Sequence, residues 1–219
     1  MRFDYLVIAG GRPPSPSYLK KLVKIAKDVV TVDGGGKALL ALKIRPLLHV
    51  GDDDSLEPSE FKRLKPRAVL KLNTKKNYSD LEFALRQLDP SKSKLVIGGH
   101  IDSDDRPDHG FFNLLLLTKM TSVIFADEKN WITNLSPMAP LTFSVPKATL
   151  FSIALLKKSK LWIDGSAFDV NGKFLRYQTE GLSNISRSHQ VCVETSGTGL
   201  VFVSSDITKT KIDGTLLAR

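Results

Sequence analysis

The sequence contains a single cysteine, Cys192, so no internal disulfide can form and packing and hydrogen bonds must hold the fold. No apolar run comes near the ~20 residues that a membrane-spanning helix needs. The apolar stretch in MRFDYLVIAGG is too short for an export signal and lacks a cleavage site, so it reads as a first β-strand. A reducing cytoplasm is the expected location. Acidic residues are also in short supply: 23 Asp and Glu against 32 Lys and Arg give a formal net charge of +9. That balance invites a nucleic-acid reading. The lysines are scattered, however, with Lys20, Lys21, Lys24 and Lys27 on one helical face and Lys157, Lys158 and Lys160 in one turn. Aromatics do not interleave with them as a base-stacking platform requires. A positive field also draws in an anionic small substrate such as ATP.

What is present is alternation. Residues 3–9 form an apolar run ending in Gly10-Gly11. Residues 17–27 place Leu19, Leu22, Val23 and Ala26 on one helical face. Strand-like runs follow at 28–32, ending in Asp33-Gly34-Gly35-Gly36, at Leu47 to Val50, ending in Gly51-Asp52, and at Val69 to Leu72. Residues 79–89 read as a helix opened by Ser79-x-x-Glu82, a capping-box pattern. Lys94 to Ile97 is a strand ending in Gly98-Gly99; residues 108–119 are a helix with Asp108 as N-cap, and Val123 to Ala126 closes the series. This pattern predicts an open, mostly parallel, Rossmann-like α/β domain over 1–134. Ligands bind beyond the carboxyl ends of the strands of such sheets, and every strong glycine or carboxylate motif here falls on that one rim. After about residue 135 prolines and short strand-like runs take over, with turns at Asp164-Gly165 and Asn171-Gly172. An all-β domain, a small sandwich or barrel, is expected over 135–219.

The chemistry resides in those strand ends. In an extended continuation of Gly51-Asp52-Asp53-Asp54-Ser55, Asp52 and Asp54 point to one side. Two like-charged carboxylates there call for a cation, and magnesium on phosphate oxygens is the natural candidate; an acidic surface turn or an aspartyl nucleophile are the other readings. Asp80 sits in the first turn of a capped helix, where the dipole favours a carboxylate whatever its task. Gly10 and Gly11, followed by Arg12, and Gly34 and Gly35 after Asp33 let backbone N–H groups approach phosphate, although each alone also reads as a turn. The acidic loop from Gly98 to His109, with Asp102, Asp104 and Asp105, carries Arg106 as a phosphate clamp and Asp108 to orient it.

Taken in order, these segments resemble thiamine pyrophosphokinases. The resemblance rests on Asp33-Gly34-Gly35, Gly51-Asp52-Asp53-Asp54-Ser55, Asn77-Tyr78-Ser79-Asp80-Leu81, Arg106-Pro107-Asp108-His109 with Asn113, and Gly181-Leu182-Ser183-Asn184. It implies an α/β domain followed by a β-sandwich that binds thiamine, and a homodimer with the active site between subunits. The implied reaction is magnesium-dependent transfer of pyrophosphate from ATP to the thiamine hydroxyl, releasing AMP. By motif position Asp52, Asp54 and Asp80 would hold magnesium on the ATP phosphates. Arg106 and Asp108 would position ATP or the hydroxyl, while Gly10, Gly11, Arg12, Asp33, Gly34, Gly35, Lys37, Ser55, Gly98, Gly99, His109 and Asn113 would line the phosphate site. Trp162, Ser183 and Asn184 would meet thiamine. The sequence departs from the family at Asn77, where an Asp is usual, at Lys37, where an Asn is usual, and in the longer Asp102–Asp105 loop. A pterin-like acceptor and a non-catalytic thiamine- or nucleotide-binding role are the alternative readings.

Overall fold

The computed structural model describes residues 1–52, 55–73, 77–99, 106–137, 139–175 and 178–213. Asp53, Asp54, Asp102, Asp104 and Asp105 therefore lie outside the described residues. The chain forms two compact units, Arg2–Leu116 and Leu117–Arg219, the latter with Met1. This division falls earlier in the chain than the change of sequence grammar near residue 135. The strands at 123–126 and 131–135 pair antiparallel with each other and belong to the C-terminal unit.

The N-terminal unit is built on five parallel strands: β1 (Phe3–Ile8), β2 (Ala26–Val32), β3 (Leu48–Gly51), β4 (Ala68–Lys71) and β5 (Lys94–Ile97). Their order is β5-β1-β2-β3-β4, with Leu6 opposite both Val29 and Leu95. β5 is buried along its whole length, and β1 and β2 are almost so, which explains why they read as unbroken apolar runs rather than alternating ones. The helices are α1 (Pro16–Lys24), α2 (Lys37–Leu40), α3 (Pro58–Leu64), α4 (Asp80–Gln87) and α5 (Pro107–Leu117).

Helix α1 stops short of its predicted end. Ile25 caps it, and Ala26 already pairs with Phe3 in the sheet, so the apolar Ala26 serves β2 and not the helix face. Asp108 lies within the first turn of α5, after Pro107, rather than capping it. The Ser79 hydroxyl does cap α4, accepting from the Glu82 N–H at 3.1 Å.

The C-terminal unit holds two antiparallel sheets. The first orders β12 (Asn184–Ile185), β9 (Leu150–Leu155), β14 (Gly199–Val203), β7 (Trp131–Leu135) and β6 (Val123–Ala126). The second orders β11 (Val170–Phe174), β10 (Lys160–Asp164), β13 (Gln190–Thr195), β8 (Leu141–Ser144) and β15 (Lys211–Asp213). β9 and β13 alternate buried and solvent-facing residues, as strands with one covered face do. Phe143 of the second sheet meets Trp131 and Phe151 of the first edge-on, at 5.4 and 5.8 Å between ring centres. All three rings are fully buried, and each such contact adds roughly 0.5–1.5 kcal/mol beyond area burial. Asn171-Gly172 is not a hairpin turn. It lies inside β11, where the pairing with β10 shifts register, and Gly172 takes a φ of +62°. Among the described residues no helix is long and apolar enough to cross a membrane.

Candidate active site

In the N-terminal unit β2, β3 and β4 follow β1 on one side, whereas β5 lies on the other. The connections leaving β1 and β5 therefore diverge, and a crevice opens above the carboxyl ends of these strands. Backbone alone closes its floor: the Gly99 N–H donates to the Gly10 carbonyl at 2.7 Å. Gly98 has a φ of +83°, and a Cβ there would lie 2.7 Å from the Ala9 carbonyl oxygen. The buried Asn113 of α5 donates its amide N–H to the Gly99 carbonyl at 2.7 Å, which ties that helix to the floor.

A cleft of about 440 Å³ rises from this floor. It gathers Gly10, Gly11, Asp33, Gly34, Asp52, Ser55, Asp80, Gly99, Arg106, His109 and Asn113, eleven of the residues singled out by sequence from five separate chain segments. The remaining ones stand elsewhere. Arg12 is exposed and does not line the cleft. Lys37 pairs with Glu60 of α3 at 3.9 Å. Gly35 is a packing residue, because a Cβ there would come within 2.1 Å of the Ile8 carbonyl oxygen. Gly98 shapes the floor rather than the lining. Asp54 lies outside the described residues. Tyr78 and Ser79 line the cleft although sequence reading gave neither a role there. The available signal for Tyr78 was its place one residue before a capping serine.

Asp33 directly follows β2 with a φ of +47°, a left-handed conformation that short polar side chains tolerate. Its Oδ1 lies 2.6 Å from the point where a Cβ on Gly51 would stand, so the glycine before Asp52 makes room for the Asp33 carboxylate. Arg106 grips Asp108 through two parallel bonds, Nε to Oδ1 at 3.0 Å and Nη2 to Oδ2 at 2.9 Å. The Arg106 side-chain hydrogen bonds hold the Asp108 carboxyl at about 2, well below its ordinary 3.8. Arg106 Nη2 also meets His109 Nε2, and since a guanidinium only donates, that nitrogen is the acceptor. The two N–H groups of Nη1 have no partner among the described residues. Asp108 thus works as a brace, fixing the guanidinium plane beside the cleft.

The cleft therefore presents three carboxylates, Asp33, Asp52 and Asp80, and the hydroxyl residues Ser55, Tyr78 and Ser79, next to a braced arginine and glycine-rich backbone. Among the described residues no three His, Cys, Asp or Glu side chains converge as a preformed metal cluster. Asp52, Asp80 and Ser55 are hard oxygen donors, few in number, which suits an ion that keeps part of its shell for phosphate oxygens.

The C-terminal unit holds a separate hollow of about 330 Å³, lined by Trp162, Asp164, Asp169, Cys192 and Glu194 among others. Trp162 packs over Gly172, whose missing Cβ would stand 3.0 Å from the indole nitrogen. Ser183 is exposed with a φ of +59°. Asn184 is structural: its amide donates to the Ser166 hydroxyl at 3.2 Å and the Phe168 carbonyl at 3.0 Å. Its oxygen accepts from the N–H groups of Phe168 and Ile185 at 3.2 and 2.8 Å.

A family model described as the catalytic domain of thiamin pyrophosphokinase matches residues 19–126. No curated protein sequence matches the chain. Among solved structures, a thiamin pyrophosphokinase family protein from Enterococcus faecalis has a TM-score of 0.74 at 23% identity, over 94% of this chain and 100% of that one. Thiamine pyrophosphokinase from Bacillus subtilis has 0.73 at 20%, over 93% and 99%. Thiamin pyrophosphokinase from Candida albicans has 0.76 at 14%, over 94% and 90%. At such identities structural likeness speaks for the fold alone, and the family model adds that residues 19–126, just under half of the chain, are similar to the catalytic domain of thiamin pyrophosphokinase.

Proposed function

We propose that the protein transfers pyrophosphate from ATP to the hydroxyl of thiamine, giving thiamine diphosphate and AMP. The observation that most supports this reading is the single cleft that joins Asp52 and Asp80 with Arg106 and the Gly10, Gly11 and Gly34 backbone. In the transfer the hydroxyl oxygen bonds to the β-phosphorus and its proton passes to solvent, while the bond from that phosphorus to the oxygen it shares with the α-phosphorus breaks and AMP leaves with that oxygen. Asp52 and Asp80, with Asp54, would hold magnesium, which when bound spreads the charge of the phosphate oxygens. Gly10, Gly11 and Gly34 leave space for the phosphates, and Gly99 with Asn113 keeps the floor rigid. Arg106, with Asp108 and His109 occupying its Nε and Nη2, offers Nη1 to a phosphate oxygen and neutralises charge on the moving group. No covalent intermediate on the protein is needed.

The C-terminal unit would supply the thiamine site. The Trp162 face, with Asp164, Asp169 and Glu194 around the same hollow, suits a flat cationic ring. Ser183 would assist from the surface, and a homodimer would bring this unit to the cleft of a second copy. A heterocyclic alcohol other than thiamine is the second reading, favoured by Asn77, which removes one negative charge beside Asp80. The test is product analysis with ATP, magnesium and a panel of heterocyclic alcohols, thiamine first. AMP and thiamine diphosphate are expected in equal amounts. ADP as the nucleotide product would overturn the pyrophosphokinase reading, and AMP formed only with another alcohol would replace the acceptor.

A further inference from the structure

Tyr78 lines the cleft yet takes no part in the phosphate chemistry above, and it is 42% exposed. Its ring stacks on Phe83 at 5.3 Å between centres and 19° between planes. The contact has a local cause. Ser79 is the N-cap of α4, so Tyr78 stands one residue before the cap and Phe83 at the fourth helical position, the two places that form a hydrophobic staple. A leucine or valine would staple the helix equally well. What the tyrosine adds is a flat ring, held from behind by Phe83 and two residues from Asp80, at a cleft whose lining among the described residues holds no other Phe, Tyr or Trp.

We propose that Tyr78 is a substrate-positioning residue that stacks on a planar heteroaromatic ring of a bound substrate. The inference rests on the pyrophosphokinase reading of the cleft, in which both substrates carry such a ring: the adenine of the nucleotide and the rings of the acceptor alcohol. Because the staple fixes the tyrosine before any ligand arrives, little side-chain freedom is lost on stacking. Single ring-on-aromatic contacts of this kind change affinity roughly five- to hundredfold on truncation.

The experiment compares wild type, Tyr78→Phe and Tyr78→Leu by calorimetry with two probes. One is magnesium with an ATP analogue carrying a methylene bridge between the α and β phosphorus atoms; the other is thiamine. Thermal unfolding is measured alongside. Tyr78→Phe should bind both probes like wild type. Tyr78→Leu, which keeps an apolar staple, should unfold at the wild-type temperature while one probe binds about five- to hundredfold more weakly. The probe affected identifies the ring. Unchanged affinity for both probes in Tyr78→Leu overturns the inference, as does a wild type that binds neither probe. If the wild type binds and the leucine variant weakens, but no AMP and thiamine diphosphate form, the stacking role stands and the pyrophosphokinase reading falls.

Discussion

Gly34 and Gly35 are neighbours in one glycine run, yet the structure gives them opposite jobs, and alanine substitutions separate them. At Gly35 an added Cβ would lie 2.1 Å from the Ile8 carbonyl oxygen and within 2.9 Å of two further backbone carbons, those of the Ile8 and Ala9 carbonyls. The shortest contact falls about 0.9 Å inside the 3.0 Å that real Cβ atoms respect. The obstacle is backbone in the middle of a buried parallel sheet, so no flexible side chain can swing aside. Overpacking typically costs about 1–3 kcal/mol, and a backbone clash belongs at the upper end. For a unit of this size, ~3 kcal/mol lowers the unfolding midpoint by roughly 10 °C. At Gly34 the added Cβ would meet only the Ser55 Cβ at 3.7 Å, an ordinary contact, but it would stand in the cleft. Gly34→Ala should therefore melt within about 2 °C of wild type and bind magnesium-ATP about tenfold or more weakly. Calorimetric unfolding paired with ligand titration reads both. A Gly35→Ala protein as stable as wild type would refute the packing argument, and a Gly34→Ala protein that melts early would refute the division of labour.

Other outcomes follow from the same geometry. Asp52→Asn and Asp80→Asn should each abolish turnover while leaving the melting temperature near wild type, as a circular-dichroism melt beside the product assay would show. The Asp108 carboxyl should titrate at about 2 by NMR, and Arg106→Gln should return it toward the ordinary carboxylate range. Because that pKa is depressed on folding, any stability from the pair is complete above about pH 4 and fades as pH falls through about 2. An acid limb of activity above pH 5 must then come from another group. Asn184→Ala strands four buried or half-buried polar partners and should lower stability by about 2–3 kcal/mol. Ser183→Ala should leave the melt unchanged.

Much of this molecule is legible in its sequence because parallel strands covered on both faces write themselves as short apolar runs, and their ends as glycine and aspartate. The rim formed by Gly10, Asp33, Asp52 and Gly99 could be named from that pattern alone. Elements with weaker signals were harder. Helix α3 has seven residues, but Glu57 and Glu60 form a full capping box around Pro58, a start signal that outweighs its meagre apolar face. β7 and β8 flank prolines that read as punctuation, although Trp131 to Leu135 is buried throughout. Asn171-Gly172 has the composition of a hairpin turn, and only the Trp162 ring, distant by ten residues of chain, explains the glycine as a place where a side chain must be missing. Lys37 reads as a phosphate ligand until Glu60, supplied by the unrecognised α3, is seen beside it.

The contact between Asp33 and Gly51 has a bearing on how this site can vary. The carboxylate of one strand end fills the volume that a side chain on the next would need, with 2.6 Å between Oδ1 and the vacant Cβ position. The two residues are eighteen apart in sequence but behave as one inherited character. Any side chain at 51 displaces the carboxylate at 33, and a larger residue at 33 presses on the backbone that delivers Asp52. A side chain at 51 is therefore accommodated only by turning the Asp33 carboxylate out of its place at the cleft, whereas a paired exchange that conserves the shared volume leaves the backbone as it is.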